Sequence, residues 1–255
     1  MKLIILAAGK GERLWPLTRN TPKSLIDLGD GTTILERQLK SAILSGIFNE
    51  VVIVTGYKSE QIEAKIKDYL QEINISILFN PFFDKTNNFV SLWFAHSKMY
   101  EEDFMITNGD NIYKDGLFSD INRKVAEISE TIQITIDFKD FYDEDDMKVI
   151  LDNNRKVLKV HKEIPQDKAD AESVGLAIVK GMRLRRVFIN KLNQLIRHKE
   201  FFDRFWLEIF NALIEDGYPI ETIEVDRDDW REIDFHPDVD VIRQLITAQF
   251  KEQST

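Results

Sequence analysis

Four short apolar runs, Leu3–Leu6, Val51–Val54, Ile75–Phe79 and Phe104–Thr107, constrain the first half of the chain more than any other feature. A strand with one face in water alternates apolar and polar residues. These runs do not, so both of their faces must be covered, as in a parallel sheet with helices on each side. The segments between them have helical spacing: Ile34–Leu44, then Ser59–Leu70, begun by Ser59 with Gln61 and Glu63 in its first turn. A third helix is expected from a cap at Asn88 through Met99. This is a doubly wound α/β arrangement with a mostly parallel sheet.

The middle of the chain changes character. Ile132–Asp137, Lys148–Asp152 and Val157–His161 alternate like antiparallel strands, with Asp152-Asn153-Asn154 as a turn, and Val174–Val179 is a further strand. Helices are expected at about Arg183–His198 and Asp203–Glu215, and strands at Ile220–Val225 and Trp230–Ile233. Pro237 opens a last helix toward Phe250. With no repeat or linker, 255 residues read as one domain carrying an α+β insertion.

Charge narrows the partners. Lys+Arg 34 against Asp+Glu 44 leaves a net charge of −10, which disfavours a nucleic-acid backbone or an anionic membrane as the main partner. The absence of cysteine removes disulfides, thiolate metal sites and cysteine nucleophiles together. The opening apolar run is shorter than a signal-peptide core, and no stretch is long enough to span a bilayer. A soluble, cytoplasmic protein is the expectation.

The first strand runs directly into Ala7-Ala8-Gly9-Lys10-Gly11-Glu12-Arg13-Leu14. Glycines after a buried strand let backbone N–H groups approach a phosphate, and Lys10 and Arg13 add charge of the right sign. The loop fits neither of the commonest phosphate motifs. Leu14 stands where a dinucleotide fingerprint needs glycine, and Gly11, after Gly9-Lys10, stands where a P-loop needs Ser or Thr. The continuation through Leu14-Trp15-Pro16-Leu17-Thr18 to Pro22-Lys23-Ser24-Leu25 makes it distinctive.

This long ordered pattern resembles the sugar-1-phosphate nucleotidyltransferases and their relatives, which join a nucleoside triphosphate to a phosphorylated small molecule. The resemblance implies a Rossmann-like nucleotidyltransferase fold, with about residues 1–130 binding nucleotide, 131–235 forming an acceptor-binding insertion and 236–255 a terminal helix. It implies nucleotide contacts from Leu6, Ala7, Ala8, Gly9, Lys10, Gly11 and Gly109, with Arg13 and Lys23 neutralising phosphates. Asp110, after the fourth strand in Asn108-Gly109-Asp110-Asn111, and Asp234, closing Trp230-Arg231-Glu232-Ile233-Asp234, match the family's two metal-binding acids and imply Mg²⁺. Lys162, in Lys159-Val160-His161-Lys162-Glu163, matches a lysine that grips the acceptor phosphate.

Within the superfamily, Thr86-Asn87-Asn88-Phe89-Val90-Ser91-Leu92 and Asp145-Asp146-Met147-Lys148-Val149 resemble bacterial phosphocholine and 2-aminoethylphosphonate cytidylyltransferases. That resemblance adds Asn87, Asn88 and Ser91 as nucleotide contacts, and Asp146, Lys148 and Glu172 on the acceptor side. Trp93, Tyr113 and Trp206 are candidates to wall a cationic head group. The implied partners are CTP, or another nucleoside triphosphate, and a small phosphorylated or phosphonate acceptor; a homodimer is possible. The alternatives are a sugar-1-phosphate enzyme using another base, or a non-catalytic nucleotide-binding relative.

Overall fold

A computed structural model describes residues 1–241, 243 and 244. The first-half runs form β1 (Lys2–Ala7), β2 (Glu50–Thr55), β3 (Asn74–Phe79) and β4 (Phe104–Asn108). β1 pairs in parallel with both β2 and β4, and β2 in parallel with β3. The helices between them are α1 (Ile34–Ser45), α2 (Ser59–Lys65) and α3 (Asn88–Phe94), the last two ending in 3₁₀ turns, Ile66–Tyr69 and His96–Met99. Asn87, rather than Asn88, caps α3 through its side chain. α1 starts with a reciprocal capping box between Thr33 and Glu36, which satisfies donors that a helix start leaves free.

The two-sided burial expected of the apolar runs is visible along β1. Ile4 and Leu6 face one core with α3, while Leu3 and Ile5 face the other with α1 and α2. Each of Leu3, Ile4 and Ile5 is fully buried, so truncating one to alanine should cost about 2–5 kcal/mol.

The sheet continues beyond β4. After β5 (Asn111–Tyr113) and α4 (Leu117–Lys124) come β6 (Thr131–Asp137), β7 (Lys148–Leu151), β8 (Val157–His161) and β9 (Ala171–Lys180). Then follow α5 (Met182–Leu195), α6 (Glu208–Glu215), β10 (Glu221–Glu224) and β11 (Trp230–Glu232). The main sheet runs β10-β6-β9-β4-β1-β2-β3, with β9 antiparallel to both neighbours and the β7–β8 hairpin attached to β9. The mostly parallel doubly wound fold is therefore as expected, and the middle strands extend its sheet.

Two elements were not anticipated, β5 and α4. β5 pairs with β11 in a separate two-stranded ladder, Asn111 opposite Glu232 and Tyr113 opposite Trp230. The expected helix from Asp203 begins at Glu208, after a 3₁₀ turn at Lys199–Asp203. Residues 236–241 are helical, and the expected continuation toward Phe250 lies outside the described residues. No described helix is long and apolar enough to cross a membrane.

Candidate active site

The glycine loop leaves the carboxyl end of β1 and folds back on the turn Lys23–Leu25. Gly11 has φ of 63°, and a Cβ there would stand 3.0 Å from that of Lys23 and 3.2 Å from Thr18 Cγ2. Thr18 Oγ1 donates to the Gly11 carbonyl at 2.6 Å, fixing the loop against this turn. The packing delivers the Lys23 ammonium into the cleft, where it donates to Asp110 at 2.7 Å and Asp234 at 2.8 Å. Arg13 reaches the other Asp234 oxygen at 2.6 Å.

Asp110 owes its position to a close approach of two strands. Gly109 N donates to the Leu6 carbonyl at 2.9 Å, and a Cβ on Gly109 would stand 2.8 Å from that same oxygen. Gln38, buried on α1, donates to the carbonyls of Asn108 and Asn111, both at 2.8 Å, and so clamps the loop from beneath. The β5–β11 ladder then carries the late acids to Asp110, extended by Ile233 N donating to the Asp110 carbonyl at 3.1 Å.

As a result Asp110, Glu232 and Asp234 each present an oxygen within 4.8 Å of the others. Glu232 was quoted in the sequence motif without a role. Its spacing two residues before Asp234, which in an extended chain puts both on one side, was the signal. Loss of solvation and the Asp110 charge push Glu232 up to about 8, although Lys23 opposes the rise. For Lys23 itself burial disfavours the ammonium, but Asp110 and Asp234 outweigh it and hold its pKa above the ordinary lysine range.

Asp110 and Asp234 are balanced by Lys23 and Arg13, and Glu232 adds a third carboxyl whose raised pKa a bound cation would bring back down. Asp110 Oδ1 is buried without a hydrogen-bond partner. A hard oxygen donor set with an unsatisfied buried oxygen fits a divalent cation of the Mg²⁺ type.

These groups lie in a cleft of about 470 Å³. Leu6, Ala7, Ala8, Gly9, Gly11, Gly109, Asn87, Asn88 and Ser91 line it together with Arg13, Lys23 and Lys162. The side-chain oxygens of the last three nucleotide candidates also accept hydrogen bonds from within the protein. Asn87 caps α3, Asn88 Oδ1 accepts from Trp206 N at 2.8 Å, and Ser91 Oγ accepts from Asn80 at 3.1 Å. Trp206 lines the cleft, is almost fully buried, and donates from Nε1 to Asn108 at 2.8 Å. It therefore ties the Asn88 helix start to the Asp110 loop.

Other candidates lie elsewhere. Lys10 borders an adjoining outer groove and pairs with Glu12 at 3.7 Å. Trp93 stacks on His96 and donates to Asn193, packed against the core. Tyr113 is buried below the Asp110 loop, with its hydroxyl on Thr107 and Asn111. Asp146 and Glu172 both pair with Lys139, and Lys148 is buried with its ammonium on backbone carbonyls. These three brace the chain behind the cleft, and the neighbouring Asp145, which sequence reasoning passed over, is the one that enters it.

Residues 2–233 match the family model described as Nucleotidyl transferase. The chain belongs to this family. As a nucleotidyltransferase it is 28% identical over 260 residues to the CTP:phosphoglutamine cytidylyltransferase of Campylobacter jejuni, covering 94% of this chain and 98% of that one. A choline-phosphate cytidylyltransferase of Streptococcus pneumoniae is 35% identical over 124 residues, 48% of this chain and 51% of its own length.

Among solved structures, a CTP:phosphocholine cytidylyltransferase from Streptococcus pneumoniae superposes with a TM-score of 0.75 at 22% identity, covering 96% of this chain and 98% of that one. The inositol-1-phosphate CTP transferase of T. maritima gives 0.73 at 18%, covering 94% of each chain. Both likenesses bear on the fold.

Proposed function

We propose that this nucleotidyltransferase moves CMP from CTP to a small phosphorylated or phosphonate acceptor of the phosphocholine or 2-aminoethylphosphonate type, with Mg²⁺, releasing pyrophosphate. The observation that carries the reading is the convergence of Asp110, Glu232 and Asp234 on Lys23, at the mouth of a glycine loop and opposite Lys162. The relatives named for CTP and phosphorylated acceptors support the choice of base and of acceptor class.

An acceptor oxygen attacks the α-phosphorus in line, and the bond to pyrophosphate breaks. No side-chain nucleophile is needed. The work of the protein is to hold two anions together and to neutralise charge as it develops. Backbone N–H groups of Gly9 and Gly11 receive the triphosphate, Arg13 and Lys23 face its oxygens, and Lys162 holds the acceptor phosphate. Asp110, Glu232 and Asp234 would hold the Mg²⁺, which when bound screens the repulsion between the two phosphates.

Pyrophosphate release tests the reading, with four nucleoside triphosphates crossed against phosphocholine, 2-aminoethylphosphonate, phosphoethanolamine and sugar-1-phosphates. Release confined to CTP with an amino-alcohol phosphate or phosphonate is expected. Release only with a sugar-1-phosphate and another base would assign the sugar reaction instead. Silence with every pair, with CTP still bound in calorimetry, would assign a binding role.

A further inference from the structure

Among the described residues the cleft is lined by five carboxylates, Glu12, Asp110, Asp145, Glu232 and Asp234, against three cations, Arg13, Lys23 and Lys162. Three of the five share the Lys23 corner, and Glu12 pairs with Lys10. Asp145 stands apart. Its Oδ2 is 3.4 Å from Arg13 and its Oδ1 is 3.5 Å from Lys162, so one carboxylate holds two of the three cleft cations.

The turn that carries Asp145 is built to keep it there. Lys148, almost wholly buried, donates to the carbonyls of Asp143 at 2.8 Å, Glu144 at 3.1 Å and Asp146 at 3.3 Å. Asp146 accepts from Asp143 N at 2.8 Å and from Lys139 at 2.7 Å. Tyr142 closes the turn by donating to the Asp170 carbonyl at 2.8 Å. Half of the Asp145 side chain is open to water, but withdrawal of the turn that carries it from the cleft would break a network of charge-assisted hydrogen bonds, which are the strong kind.

A braced carboxylate is a problem for a site that must admit two anions. Ligands that take Arg13 and Lys162 strip Asp145 of both partners and leave it facing like charge. The arrangement is relieved when the ligand on the Lys162 side brings its own positive group. The wall beside it suits one, since the Phe205 ring already holds the Lys162 ammonium 4.9 Å from its centroid.

We propose that Asp145 is the specificity-determining residue for the acceptor, selecting a phosphate or phosphonate that carries an ammonium group in the same small molecule. The inference rests on the nucleotidyl-transfer reading of this cleft and names the group that its acceptor must present.

The test compares 2-aminoethylphosphonate with propylphosphonate, which has a methyl group in place of the ammonium, using CTP and Mg²⁺. Wild type is expected to favour the amino acceptor in kcat/KM. Asp145→Asn should lower that preference by about tenfold to a hundredfold, the size of a lost hydrogen bond between charged groups. Glu144→Gln removes the same charge one residue away, from an exposed position, and should keep the preference. The proposal is overturned by equal use of both acceptors, by an unchanged ratio in Asp145→Asn, or by an equal fall in both variants.

Absence of turnover with any acceptor would count against the transfer reading. The preference is then read by calorimetry with CTP present and metal omitted, and equal affinity for the two phosphonates overturns the role of Asp145.

Discussion

Lys23 bridges two carboxylates whose sequence positions are 87 and 211 residues away. Removing its ammonium leaves those carboxylates facing each other and takes a cation from the phosphates. Lys23→Ala is expected to lower turnover by about 10²–10³ while the fold persists, read as pyrophosphate release beside circular dichroism. Near-full activity in the folded variant would remove Lys23 from the mechanism. Gln38 acts one step back, through two carbonyls. Gln38→Leu removes the side-chain amide from both and should cost about 1–3 kcal/mol in urea unfolding and raise the Mg²⁺ needed for half-maximal rate. Arg13, Lys23, Asp110 and Asp234 were legible because each sits in a long ordered motif. Asp145 was not, because its role depends on which of two adjacent aspartates the turn points outward, and that is decided by Lys139 and Lys148.

The same distinction separates the elements. β1 to β4 declared themselves because strands buried on both faces are apolar throughout, a signal that needs no partner to be read. β5 and β11 have three residues each, too few to show alternation, and β5 follows an Asn-Gly-Asp turn that reads as loop. Yet this ladder brings Glu232 and Asp234 to Asp110. Proline at Arg231, in the middle of β11, cannot donate to the ladder. Arg231→Pro is expected to lower activity more than a hundredfold while far-UV circular dichroism changes little, since the main sheet does not include β11. Retained activity would mean that the acids are held by other contacts.

Over the whole molecule, chemistry and stability occupy opposite ends of the sheet. The carboxyl ends of β1 and β4 carry the cleft, while their amino ends carry a buried ion network. There Glu50 accepts from Lys98 at 2.6 Å and from Ser76, and pairs with Lys2 at 3.0 Å. Burial opposes ionisation of Glu50, but these donors outweigh it and hold its carboxyl at about 2, against 4.5 ordinarily. A carboxylate with a depressed folded value stabilises the protein above its unfolded value. That contribution is lost as pH falls from 4.5 toward 2. Glu50→Gln should therefore cost about 3 kcal/mol at pH 7 and much less near pH 2, measured by urea unfolding at both. An equal cost at the two values would show that the network does not stabilise through the Glu50 charge. The composition anticipated an acidic protein with a large core but not where its buried charges lie, because pairing across parallel strands depends on register.

In the proposed reaction the cleft joins the α-phosphorus of CTP to an acceptor oxygen. Phosphorus-31 NMR of the enzyme with CTP, Mg²⁺ and 2-aminoethylphosphonate follows both bonds in one sample. The phosphonate resonance is expected to shift and couple to a new α-phosphorus signal as one equivalent of pyrophosphate appears. An unchanged phosphonate resonance, with CTP intact or hydrolysed to free CMP, would contradict the proposed reaction.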